Sequence, residues 1–411
     1  MVYTKKYGNG LRVIVKEMPG LMSVTMGILV GTGAGDERDE EDGISHFIEH
    51  MQFKGTDKRT AFEVSDAFDR LGAQVNAYTG KDSTVYYAKS TCDHVEEAFE
   101  ALSDLFLHAT YPEDEMEREK GVVCEEISMN EDTPEDLCLD LLASAFYGKE
   151  NYGRNILGPA SNVQGFTKEG IKAYKKARYC PENVVVSFAG GIKKEQAFAL
   201  VDEYFAEMEK GAFEKREKTI IQSSNVLVKK KPIEQTHIAL AFPAYSRNHE
   251  LADAMSAMSG VLGGNMSSRL FQEVREKRGL AYSVYSYSSA LEECGSLTIY
   301  AGVNPKKAND ALSAIYAVID DLLKNGLTEE EFLRSREQMK STLFFSNENT
   351  SSQMVLYGKY LLQRGEVFDF EEKLARINRM KRDDLLSALE FAFGSGKKSL
   401  AAVGNLDFLT L

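Results

Sequence analysis

Cysteine is scarce in this 411-residue sequence, and its distribution is uninformative for bridging. The five cysteines (Cys92, Cys124, Cys138, Cys180, Cys294) are odd in number, widely scattered and contain no C-x-x-C pair. That excludes a disulfide framework and a cysteine zinc site, and fits a reducing cytosol. Long apolar runs are missing as well, with nothing approaching the roughly 18 uninterrupted residues of a membrane helix. The opening segment MVYTKKYGNGLRVIVKEMPG alternates polar and apolar residues and ends in a Pro-Gly turn. It has neither the apolar core and cleavage site of a secretory signal nor the Arg/Ser bias of a transit peptide, so a cytoplasmic location is expected. Nor is there a basic surplus: Lys+Arg 49 against Asp+Glu 63 gives a net charge of −14. Nucleic-acid binding needs the opposite footprint, whereas acidic charge lining a cavity attracts basic peptides. No G-x-S-x-G, Walker A loop or Rossmann fingerprint occurs, which removes the common nucleophile-elbow and nucleotide sites.

What remains is an ordinary globular composition, 43% hydrophobic and 27% charged, in a chain too long for one comfortable core. Strand-like runs (11–17, 23–30) precede a helical stretch at 41–53. Thr60 with Glu63 forms a capping box that opens a helix ending at Leu71-Gly72. Residues 73–78 and 83–90 read as a hairpin turning at Gly80, followed by helices at 93–107 and 112–130. The second half repeats the plan, with a strand pair in GLAYSVYSYSSALEECGSLTIYAGV, helices at 305–324 and 328–345, and a late strand near 404 matching one near 190. This predicts an internal duplication: α+β domains at 1–209 and 226–411, joined by a polar linker at 210–225. Each is expected to pack helices on one face of a mostly antiparallel sheet.

The sharpest local pattern is GISHFIEHMQFKGT. His46 and His50 stand four apart on a helix, so both imidazoles project from one face, a spacing suited to two nitrogens on one tetrahedral zinc. Glu49 sits beside that face, giving the inverted order H-x-x-E-H. A surface helix could carry such residues idly. This one is otherwise apolar (Ile44, Phe47, Ile48, Met51), and polar groups placed there need a reason that ligation supplies. The other histidines, His94, His108, His237 and His249, have no ligand spacing. A catalytic zinc site requires a third protein ligand, and the helix EREKGVVCEEISMNED offers Glu117, Glu119, Glu125 and Glu126. In VVCEEI an apolar run leads directly into a carboxylate pair. Glu119 and Glu126, seven apart, share a face, so one could bind metal while the other orients its ligands.

HFIEHMQFKGT, with Glu126 following 76 positions after His50, resembles the pitrilysin-type zinc peptidases over essentially the whole chain. Together with GGNMSSRLFQEVREKRGLAYSV it is most similar to the short bacterial members close to the processing-peptidase β subunit. The resemblance implies one zinc per chain on His46, His50 and Glu126, with Glu119 in support. It implies Glu49 as the general base and Arg275 and Tyr282 as substrate contacts near the scissile bond. It further implies that the strand carrying Asn76-Ala77 pairs with substrate backbone, that Phe53 meets the residue after the cleaved bond, and that Asp136 and Asp140 read a substrate arginine. The second half has no H-x-x-E-H in its matching helix, so only the first domain is expected to be catalytic. Its glycine-rich loop is reduced to Gly263-Gly264, which argues against strict presequence specificity. The chain is half the length of the four-domain members, which implies that it forms half of a clamshell and works as a homodimer with the site completed in trans. The function implied is a zinc endopeptidase acting on short or unfolded basic peptides, with no nucleic-acid or membrane partner. The alternative is a catalytically silent peptide-binding or scaffold subunit, which in this family lacks a ligand or the base; this chain keeps them all.

Overall fold

The computed structural model of the protein describes residues 1–206, 208–211, 213 and 222–410. The first half runs β1 (Val2–Lys6), β2 (Arg12–Glu17), β3 (Ser23–Val30), α1 (Ile44–Met51), α2 (Ala61–Asp69), β4 (Gln74–Thr79), β5 (Thr84–Thr91), α3 (Val95–His108), α4 (Glu113–Asp132), α5 (Pro134–Tyr147), α6 (Ala160–Gly165), α7 (Lys168–Arg178), β6 (Val184–Gly190) and α8 (Lys194–Tyr204). The second half runs β7 (Val226–Lys230), β8 (Thr236–Ala244), α9 (Ala252–Gly263), β9 (Ala281–Ala290), β10 (Gly295–Val303), α10 (Ala308–Asn325), α11 (Glu329–Asn347), α12 (Thr350–Arg364), α13 (Phe370–Arg379), α14 (Arg382–Phe393) and β11 (Ser399–Gly404). Of the expected linker 210–225, residues 212 and 214–221 lie outside the described residues.

The sheets have orders β1-β2-β6-β3-β5-β4 and β7-β11-β8-β10-β9. Only β2–β6 in the first and β7–β11 in the second are parallel. The last five strands of the first sheet follow the same plan as the five of the second, which is the fold-level signature of the duplication. Burial follows position. β3 and β8, both interior, are buried along almost their whole length, whereas β4, at an edge, alternates.

The chain forms two compact units that divide within the expected linker, at Lys218/Thr219, and in addition exchange one segment each. One comprises Met1–Ile127, Asn155–Lys218 and Phe344–Asp369; the other comprises Ser128–Arg154, Thr219–Leu343 and Phe370–Leu411. In the first unit, Val13, Met26, Ile28, Tyr86 and Phe188 of the sheet pack against Phe47 of α1 and Phe99, Leu102 and Phe106 of α3. The opposite face carries α12, from the second half of the sequence. There Leu29, Val85 and Ala189 meet Met354, and Ser187 Oγ donates to the Met354 carbonyl at 2.8 Å. In the second unit, Ile238, Leu240, Leu297 and Ile299 pack against α9, α10 and α14. The other face, with Ala239, Ala241, Tyr300 and Val403, receives Leu137, Cys138, Leu142 and Phe146 of α5. The helical layer expected on one face is therefore present twice, and each sheet gains one helix of the other half on its second face. Each large apolar side chain so buried contributes about 1.5–3 kcal/mol, and this places α5 and α12 with units that a contiguous 1–209 and 226–411 division does not assign them. Among the described residues, no helix is long and apolar enough to cross a membrane.

Candidate metal centre

α1 starts at a constrained point. Gly43 has φ 94°, and a Cβ there would come within 2.6 Å of the Leu157 carbonyl oxygen, so only glycine makes the turn without strain. The N–H groups of Gly43 and Ser45 both donate to the Glu37 carboxylate at 2.8 Å, satisfying helix donors that lack intrahelical partners. Glu37 is fully buried, and that burial pushes its pKa up to about 8 against the pull of those hydrogen bonds. Ile44, Phe47, Ile48 and Met51 lock the helix into the core. His46 and His50 are then left one turn apart, with ring centroids 4.5 Å from each other.

α4 supplies the opposing wall. Met116, Glu119 and Val123, spaced three and four apart, are its buried stripe, and Glu126 continues that face. Glu126 Oε2 lies 3.6 Å from His46 Nε2 and 3.5 Å from His50 Nε2. One donor atom from each of the three residues lies within 4.8 Å of the others. Ligands at 2.0–2.2 Å from a tetrahedral ion are themselves about 3.3–3.6 Å apart, so the two nitrogen–oxygen separations fit a bound zinc with little rearrangement. Of the other glutamates on this helix, Glu117 pairs at the surface with Lys120 at 2.7 Å, Glu125 is exposed, and Glu119 reaches the far side of His50. His50 Nδ1 and Glu119 Oε1 are 2.8 Å apart, and Lys54 Nζ holds Glu119 Oε2 at 2.6 Å.

The charges follow from these contacts. Burial and the neighbouring His50 lower the His46 pKa to about 4, which keeps the ring neutral, as a ligand must be. Burial also opposes charge on His50, but Glu119, Glu126 and Glu49 outweigh it and raise its pKa. Burial likewise opposes charge on Glu119, where His50 and Lys54 win and hold the carboxyl below its usual range. Glu49 is raised, mainly by burial, although Thr79 Oγ1 donates to its Oε2 at 2.5 Å.

Residues 12–160 match the insulinase family of M16 peptidases, and residues 165–339 match the M16 peptidase inactive domain. The uncharacterized zinc protease YmxG of Bacillus subtilis is 41% identical over 90% of this chain and 90% of its own length. The chain belongs to peptidase family M16. A Streptomyces coelicolor relative, also named an uncharacterized zinc protease, is 34% identical over 97% of the chain and 88% of its own length. The fold is shared with a protease from Helicobacter pylori, at TM-score 0.91 and 23% identity over 98% of this chain and 99% of that one. It is shared equally with a Pseudomonas fluorescens structure described as a peptidase M16 inactive domain, at TM-score 0.91 and 21% identity over 98% of both chains.

His46, Glu49, His50, Glu119 and Glu126 of this M16 chain all fall in the segment matched by the insulinase family, and α9 of the second half has no H-x-x-E-H. Phe53 is half-buried against the first core. Asn76 and Ala77 lie on β4, opposite Tyr87 and Tyr86 of β5, and Asn76 Oδ1 accepts the Ala77 N–H at 2.8 Å. The remaining expected residues belong to the other compact unit. Asp136 is exposed on α5, its pKa raised by partial desolvation, Glu135 and Asp140, and Asp140 accepts from Asn130 at 2.8 Å. Arg275 lies 4.8 Å from the Phe271 ring and 5.7 Å from that of Tyr282, which is 78% exposed. Three residues escaped the sequence reading: Glu37, Lys54 and Thr79. Lys54 alone carried a signal, standing four residues beyond His50 as His50 stands beyond His46.

Proposed function

We propose that this M16 protein is a zinc endopeptidase that hydrolyses short or unfolded basic peptides. The observation that carries the reading is the convergence of His46, His50 and Glu126 within ligand distance of one another, with Glu49 alongside. Bound zinc supplies Lewis acidity towards water and a carbonyl oxygen. Glu49, its carboxylate steadied by Thr79, takes a proton from the attacking water and returns it to the leaving amine. Substrate backbone adds to the edge strand β4 at Asn76 and Ala77, Phe53 meets the residue after the cleaved bond, and Asp136 and Asp140 receive a basic side chain. Arg275 and Tyr282 contact the substrate near the scissile bond, Tyr282 donating to the developing oxyanion, and reach it across a homodimer.

The test is cleavage of a quenched fluorescent basic peptide by the purified protein, with its metal content measured, beside Glu49→Gln. Loss of the base is expected to lower kcat about 10²–10⁴-fold with zinc retained, because Glu49 is not among the donors. Stoichiometric zinc with no turnover of any peptide in a library would replace this reading with a catalytically silent peptide-binding or scaffold subunit.

A further inference from the structure

We infer that Lys54 is a positioning residue of the metal centre, locking Glu119 so that His50 presents Nε2 to the ion. The inference rests on the zinc reading above. A histidine can ligate through either ring nitrogen, and the hydrogen bond made by one decides which is left for the metal. Here Nδ1 is engaged by Glu119 Oε1 at 2.8 Å. A single contact would not fix that carboxylate. Its side chain is only 5% exposed, and a second buried oxygen without a partner is costly and free to swing. Lys54 Nζ fills that role at 2.6 Å. Tight turns place it there: beyond the end of α1, Phe53 N–H donates to the His50 carbonyl and Lys54 N–H to that of Met51, each at 3.2 Å. The winding thus continues far enough to bring the ammonium back beside His50's partner. His46 has no such arm, its buried Nδ1 lacking a hydrogen-bond partner among the described residues. The two imidazole ligands are therefore unequal, and the orientation of the centre runs through Lys54, Glu119 and His50.

Zinc affinity, measured by competition with a chromophoric chelator, tests this on the full chain. The variants are Lys54→Met, Lys54→Arg, Glu119→Ala and the double variant Lys54→Met/Glu119→Ala, each with the melting temperature of its metal-free form. Lys54→Met is expected to weaken zinc about tenfold and Lys54→Arg to stay near wild type. In the Glu119→Ala background, Lys54→Met is expected to add less than a twofold change, because Lys54 acts only through that carboxylate. Unchanged affinity in Lys54→Met, or a full loss on top of Glu119→Ala, overturns the inference while leaving the zinc site standing. Should Lys54→Met fail to fold, Lys54→Ala, which also removes the donor to Glu119 and adds no bulk, replaces it with the same outcomes. A wild-type protein that takes up no zinc overturns the underlying reading as well.

Discussion

A threonine hydroxyl on a strand end and a carboxylate on a helix meet at 2.5 Å in Thr79 and Glu49, and that contact fixes where the carboxylate points. Thr79→Val keeps the shape and removes the donor. It is expected to lower kcat about tenfold, the cost of one hydrogen bond to a charged group, with KM unchanged and Thr79→Ser close to wild type. Steady-state kinetics on a fluorogenic peptide check it. Thr79 was not legible in the sequence because its partner lies 30 residues away on another element, where no periodicity applies. Helix spacing put His46, Glu49 and His50 on one face and Glu119 with Glu126 on another, but only the family resemblance singled out Glu126, which the structure brings close to both histidines. A second residue-scale consequence concerns Lys175, whose ammonium meets the Phe106 carbonyl at 2.5 Å and Gln52 Oε1 at 3.3 Å, with no carboxylate paired to it among the described residues. Burial lowers its pKa to about 7, below the roughly 10.4 of an unfolded chain. Between those values the unfolded state binds more protons, so stability rises with pH; below about pH 7 the cost of the buried charge is fully present. Both acceptors keep other donors, Gln52 Nε2 to Phe106 and Tyr111 to Gln52. Lys175→Met is therefore expected to raise Tm by about 2–4 °C at pH 6 and to flatten the rise from pH 7 to 10, as calorimetry at several pH values would show.

At the scale of elements, most strands and helices were readable, including the Thr60–Glu63 capping box, which forms as expected. The placement of α5 and α12 was not. Amphipathic spacing tells that a helix buries a face, but not which of two similar sheets receives it, and the duplication makes both sheets acceptable. What selects the partner is close fit. Gly358 of α12 is pressed so near the first sheet that a Cβ would come within 2.7 Å of Leu29 Cδ1 and 3.0 Å of Ser187 Cβ. A glycine inside a helix ordinarily costs about 0.5–1 kcal/mol relative to alanine, so its presence here reflects space rather than propensity. Gly358→Val is expected to lose about 1–3 kcal/mol through overpacking, read as a lower midpoint in urea denaturation. A neutral or stabilising result would mean that α12 can lift off its sheet without penalty.

Considered whole, the molecule duplicates a fold but not a site: His46, Glu49, His50 and Glu126 lie in one compact unit, while Arg275 and Tyr282 lie in the other. A residue as exposed as Tyr282, beside a guanidinium lying over its ring, is available to a neighbour, and the proposed homodimer supplies one. Cis and trans completion of the site differ in a way that mixing variants separates. Take Glu49→Gln and Tyr282→Phe, each of low activity alone, and co-express them so that subunits assort at random. If Tyr282 acts in trans, each mixed dimer has one site carrying both substitutions and one carrying neither. About half the dimers are mixed and half of their sites are intact, so activity should recover to about a quarter of wild type. If each chain completes its own site, every site carries one substitution and the mixture shows only the residual activity of its components. Recovery would make the dimer the catalytic unit, and its absence would return Arg275 and Tyr282 to the site of their own chain.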